Sequence, residues 1–144
     1  MQKRVIIISL GGSLIIPDEV NTSLLLKFKK VIEKNTRKYK FVIVCGGGSV
    51  ARKYIQSLRD IGRNELLQSM SGISVTRMNA RFMTYFFGKD SSQGVPHDME
   101  QVKNLRKQYE TTHKGNRRTV STIICDGRQA KIRSPGYSEI FYAL

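Results

Sequence analysis

The chain alternates short, almost unbroken apolar runs with longer stretches in which apolar residues recur every three or four positions. Arg4-Val5-Ile6-Ile7-Ile8-Ser9-Leu10 is apolar at nearly every position. That is the pattern of a strand buried on both faces, as in a parallel sheet. A helix is expected to start at Pro17-Asp18 or at Asn21. Its apolar face would carry Val20, Leu24, Leu25, Phe28, Val31 and Ile32. Lys34, Arg37 and Lys38 gather near its end, which suits the negative pole of the helix dipole. Residues 40–45 read as a second buried strand, so the first third of the chain forms a βαβ unit with parallel strands.

A second helix is expected to line Val50, Ala51, Tyr54, Ile55, Leu58 and Ile61 on one face and to end at Gly62. A longer helix, or two in tandem, follows over residues 65–87, with Leu66, Leu67, Met70, Ile73, Phe82 and Phe86 among its apolar positions. Residues 88–94 have the composition of a loop. Residues 99–109 suit a further helix, residues 119–125 a further strand, and Asp126-Gly127 a turn. Beyond Arg128 no helix pattern stands out, and no internal repeat or low-complexity tract occurs.

Composition narrows the function classes. With 144 residues, 40% hydrophobic and 25% charged, the chain suits one globular domain with a sizeable core. No apolar run approaches the roughly 20 residues of a membrane span. The apolar opening is broken at Ser9 and Gly11 and lacks a small-residue cleavage signature, so it is not expected to be a secretory signal. Cys45 and Cys125 form neither a metal-ligand spacing nor a disulfide framework, which points to a reducing cytoplasm. The net charge of +14 favours anionic partners: nucleotides, nucleic acid through non-specific charge, or acidic membranes. A basic, well-solvated surface explains the same excess. Residues 101–144 hold nine of the 25 Lys and Arg against three of the 11 Asp and Glu.

Each of the first two strands ends in glycines: Gly11-Gly12-Ser13 and Gly46-Gly47-Gly48-Ser49. Glycine lets backbone N–H groups approach an anion, and a following helix adds partial positive charge. Two such loops at one sheet edge suit a ligand with several phosphates. Arg52, four residues beyond Gly48, could offer its planar fork to a phosphate. The bland alternatives are an exposed surface cation at Arg52 and a tight turn without ligand at Gly11-Gly12. The pattern Gly-Lys-Ser/Thr of a P-loop is absent. Gly46-Gly47-Gly48-Ser49-Val50-Ala51 does fit a dinucleotide fingerprint. The acid expected about 20 residues later at a strand end is missing, and that reading leaves the first glycine cluster idle. His97 and His113 have no catalytic partner at a recognisable spacing and read as loop or surface residues.

Three blocks carry a resemblance. Residues 7–17, from Ile7-Ile8-Ser9-Leu10 through Gly11-Gly12-Ser13 to Pro17, are similar to the opening of the amino acid kinase family, in particular archaeal-type uridylate (UMP) kinases. Residues 41–55 resemble the second glycine loop of that family and its helix. Gly72-Ile73-Ser74-Val75-Thr76-Arg77-Met78-Asn79-Ala80 resembles the helix beside the nucleoside monophosphate site. The resemblance implies a three-layer αβα sandwich of the carbamate kinase-like type and transfer of the γ-phosphoryl group of ATP, with Mg²⁺, to UMP. By position it implies that Gly12, Ser13, Gly48 and Arg52 contact ATP phosphates and that Gly47 contacts UMP. It implies homo-oligomers of the intact protein and no dedicated metal site or strong general base.

The chain departs from the family in three ways. Ser49 stands where members often have Lys. Ser69 stands where an Asp lies near the uridine ribose, and a serine is the weaker acceptor. The chain is also markedly shorter than the family's domain. Of the Pro-Gly-His-Thr-Thr-Asp loop it shows only an echo at Ser134-Pro135-Gly136-Tyr137-Ser138-Glu139, and it lacks the Asn-Val-Asp-Gly stretch. Residues 1–110 are therefore expected to be the N-terminal part of an amino acid kinase domain. Residues 111–144 would be a divergent or out-of-frame basic end of the same truncated domain. Other acceptors (a carboxylate, a carbamate, isopentenyl phosphate) and a non-catalytic nucleotide- or RNA-binding remnant remain the alternatives. A halved sheet would leave a strand edge and part of a helix face unburied.

Overall fold

The computed structural model of the chain describes residues 3–92, 94–96, 100–105, 122–126 and 140–143. In chain order the elements are β1 (Arg4–Leu10), α1 (Gly12–Ile15), α2 (Thr22–Asn35), β2 (Tyr39–Cys45), α3 (Gly48–Asp60), α4 (Glu65–Phe87), β3 (Thr122–Asp126) and β4 (Ile140–Ala143). A 3₁₀ turn spans Gly88–Asp90, and residues 100–105 are helical. The four strands form one sheet in the order β3-β2-β1-β4, and every pairing is parallel. Parallel neighbours need a crossover, and α2 supplies it between β1 and β2.

Side chains alternate across the strands, so each strand serves two cores. On one face Ile8, Leu10, Phe41, Ile43, Cys45 and Ile124 pack with Leu25 and Ile32 of α2 and Ala80, Met83 and Phe87 of α4. On the other, Ile7, Val42, Val44 and Ile123 pack with Val102, and Leu105 lies against them. Helices thus cover both faces, which makes the chain an α/β sandwich of three layers. The near-continuous apolar runs of β1 and β2 reflect this double burial.

Local chemistry sets the helix ends. Asn21 caps α2, its side chain accepting from Leu24 N–H at 3.2 Å, and Asn64 caps α4 by accepting from Leu67 N–H at 3.0 Å. Gly62 follows α3 with φ of 73°, a conformation that favours glycine. The long apolar stretch after Asn64 is one 23-residue helix rather than two in tandem.

The buried stripes are narrower than the sequence pattern implied. On α2, Leu25 and Ile32 are buried and Phe28 partly so, but Leu24 and Val31 are exposed, as is Val20, which precedes the helix. Leu24 and Val31 each precede a core position by one residue, and a 100° rotation carries them off the sheet-facing side. Tyr54 on α3, Ile61 just past its end, and Leu66, Leu67 and Met70 on α4 are likewise exposed. The segment expected as a loop at 88–94 is stitched to β3: Ser92 N–H donates to Thr122 O at 2.9 Å and its hydroxyl accepts from Ile124 N–H at 3.2 Å. Asp126, expected in a turn, is the last residue of β3, held there by pairing with Cys45. No pattern announced β4. The expected helix is seen at 100–105 and the expected strand at 122–126; 99, 106–109, 119–121, the 110 boundary, His97, His113 and the 134–139 echo lie outside the described residues.

Cys45 is a buried free thiol. Among the described residues no helix is long and apolar enough to cross a membrane.

Candidate phosphate-binding site

The site begins where the strands stop, and they stop level. Leu10 pairs with Cys45 and with Ala143, and Cys45 pairs with Asp126, so all four strands end in one row. The next amide, Gly46 N–H, donates to Leu10 O at 3.0 Å. Both glycine clusters therefore leave the sheet side by side at its carboxyl edge, where open α/β sheets bind ligands.

There the two turns stack backbone on backbone. Gly12 is buried, and a Cβ added to it would run into the Gly47 carbonyl carbon and Gly48 N and come within 2.5 Å of Gly46 O. A Cβ on Gly48 would strike Ser13 N and Gly12, and Gly48 has φ of 63° besides. Neither position has room for a side chain, because what it would meet is main chain and not a movable rotamer. Gly47 sits against Thr76 of α4, whose Oγ1 would lie 2.9 Å from a Cβ there.

Helix α3 starts at Gly48, and its first intrahelical bond runs from Ala51 N–H to Gly47 O at 3.4 Å. The amides of the turn before it are those a helix leaves for an external acceptor. Two side chains of this first turn tie α3 to the first loop. Arg52 Nη2 donates to Ser13 Oγ at 3.2 Å. Ser49 Oγ donates to Pro17 O at 2.8 Å, with Ile16 O 3.4 Å away. Arg52 is exposed, and its guanidinium has further N–H groups besides the one given to Ser13.

The structure thus brings together Gly12, Ser13, Gly47, Gly48 and Arg52. Ser69 stands apart, exposed on α4 and about 10 Å along the helix axis from Thr76. Sequence reasoning gave no role to Asn79, whose Nδ2 donates to Gly46 O at 2.9 Å and Gly47 O at 3.4 Å. The available signal was a polar residue beside Ala80 and one turn before Met83 on the buried stripe of α4. The paired backbone turns and one guanidinium can hold a polyanion by several donors at once.

The description "Amino acid kinase family" belongs to the family model that matches residues 4–129. The chain belongs to that family. It is similar to the uridylate kinase of Thermoplasma volcanium, 35% identical over 128 residues, which make up 84% of this chain and 55% of that protein. It is 34% identical over 102 residues to the uridylate kinase of Methanosarcina barkeri, covering 70% of this chain and 43% of that one. Among solved structures it resembles a uridylate kinase from Archaeoglobus fulgidus with a TM-score of 0.67 and 29% identity, over 85% of this chain and 50% of that chain. A UMP kinase from Ureaplasma parvum, at 18% identity and a TM-score of 0.64, shares the fold. The chain spans about half the length of the curated relatives it matches.

Proposed function

We propose that the protein transfers the γ-phosphoryl group of ATP to UMP, giving UDP and ADP. The observation that carries this reading is the backbone stacking of Gly12 on Gly46–Gly48 at the carboxyl edge of two adjacent parallel strands. The names of the relatives supply the acceptor. In this reading Gly12, Ser13, Gly48 and Arg52 hold the ATP phosphates, while Gly47 and Ser69 serve the UMP side. Mg²⁺ enters as part of the substrate, carried by the nucleotide's phosphates.

The chemistry asks little of side-chain acids and bases. The attacking group is a phosphate oxygen of UMP, already ionised near neutral pH. The protein has to align two polyanions in line and offset their repulsion, which fixed N–H groups and a guanidinium do without reorganising. The resemblance extends the proposal to homo-oligomers of the intact protein, to the cytoplasm as its compartment, and to residues 111–144 as the divergent basic end of the same domain.

The test is direct. The 144-residue chain is mixed with Mg·ATP and UMP, and UDP and ADP are followed by phosphorus NMR, with a panel of other acceptors alongside. UDP formation together with stabilisation by Mg·ATP is expected. Neither appearing sinks the proposal. A second reading, nucleotide or RNA binding without turnover, draws on the net charge of +14. Stabilisation by Mg·ATP with no product from any acceptor would favour it.

A further inference from the structure

Helix α4 carries a carboxamide where its apolar seam would otherwise continue. Asn79 is 7% exposed and neighbours Ala80 and Met83, both fully buried. A buried amide costs stability unless it is hydrogen-bonded, and asparagine is a poor helix former. A leucine there would serve the core better. What Asn79 does instead is donate from Nδ2 to two carbonyls, Gly46 O at 2.9 Å and Gly47 O at 3.4 Å.

Gly47 O also accepts the first helical bond of α3, from Ala51 N–H at 3.4 Å, so the peptide that depends most on Asn79 is Gly46–Gly47, through the shorter contact at 2.9 Å. Glycine has the widest backbone freedom of any residue, and three occur in a row here. In a planar trans peptide the C=O of one residue and the N–H of the next point in opposite directions. Holding the Gly46 and Gly47 carbonyls toward α4 therefore turns the Gly47 and Gly48 amides away from it. A peptide flip at either bond would replace a donor by a carbonyl oxygen, which repels phosphate.

We propose that Asn79 is a positioning residue: it clamps the Gly46–Gly47 peptide, and together with Ala51 N–H the Gly47–Gly48 peptide, in the orientation that presents their N–H groups to a nucleotide phosphate. The consequence for affinity rests on the phosphate-binding reading above, whereas the clamp itself does not.

Two readouts separate them. Asn79→Leu keeps the bulk and removes the donor, and Asn79→Ser keeps a shorter donor should the leucine variant not fold. Thr84→Val is the control: Thr84 is equally buried on α4, but its hydroxyl donates only to Arg81 O within the helix. In ligand-free protein, the ¹⁵N-amide signals of Gly47 and Gly48 are expected to shift or broaden in both Asn79 variants and to stay put in Thr84→Val. Mg·ATP should bind at least tenfold more weakly to the Asn79 variants and within twofold of wild type to Thr84→Val. Unmoved Gly47 and Gly48 signals overturn the clamp whatever the ligand does. Moved signals with unchanged affinity overturn the link to phosphate. If wild type does not bind Mg·ATP while the signals still move, the phosphate reading fails and the clamp stands.

Discussion

Arg52 reaches back from the first turn of α3 to Ser13 in the other glycine turn, with Nη2 3.2 Å from Oγ. The two residues lie 39 positions apart in the chain, and this contact joins the loops across the face that the resemblance assigns to ATP. The contact is exposed, so it adds little to stability by itself. Its worth lies in placing a planar cation beside two sets of backbone donors.

Arg52→Ala should therefore separate binding from stability. Unfolding free energy is expected to change by no more than about 0.5 kcal/mol, as for most exposed substitutions. Mg·ATP affinity should fall by about 10- to 100-fold, the worth of roughly 1.5–3 kcal/mol in charge-assisted hydrogen bonds. Arg52→Lys keeps the charge but loses the fork and should fall between. Calorimetric titration alongside urea denaturation checks both halves.

Gly12→Ala acts differently. The added methyl meets the main chain of Gly46–Gly48, so the loops must part. A loss of about 1–3 kcal/mol is expected from overpacking, together with loss of Mg·ATP binding. Gly11→Ala, which would meet nothing within 4 Å, is the matched control and should leave stability nearly unchanged.

Gly48→Ala combines the same collision with a φ of 63°. The left-handed conformation alone costs a non-glycine residue about 1–2 kcal/mol. The variant should be at least as unstable as Gly12→Ala by denaturant melting. A Gly48→Ala protein as stable as wild type would contradict the stacked-loop geometry.

Much of this architecture is legible in the sequence, for physical reasons that also mark where legibility ends. Double burial makes β1 and β2 read as unbroken apolar runs, and Asn21, Gly62 and Gly88 announce helix ends through capping chemistry. The glycine pairs announce close backbone approach, though not to which partner. That Gly12 meets Gly48 depends on the level ends of two strands, a matter of register that no local pattern encodes. Helix α1, four residues long, is too short to show a period. The exposure of Val31 and Tyr54 was hidden because apolar spacing marks a face but not what covers it. Asn79 was hidden because its partners are backbone carbonyls, which every residue possesses.

The core makes its own prediction. Met83 is fully buried between α4 and the sheet, whereas Leu66 on the same helix is 66% exposed. Met83→Ala should cost about 2–5 kcal/mol through the cavity it leaves. Leu66→Ala should cost about 0.5 kcal/mol or less. Paired denaturation curves with equal slopes decide it.

If the two stacked glycine turns form one phosphate-binding surface, one ligand must perturb both. The backbone amides of ¹⁵N-labelled protein, followed while Mg·ATP is titrated in, report on each turn separately. Gly12, Ser13 and Gly48 are expected to shift together in a single saturable transition, and Arg52→Ala to weaken all three to the same degree. Shifts confined to one loop, or none at either, would contradict a single surface.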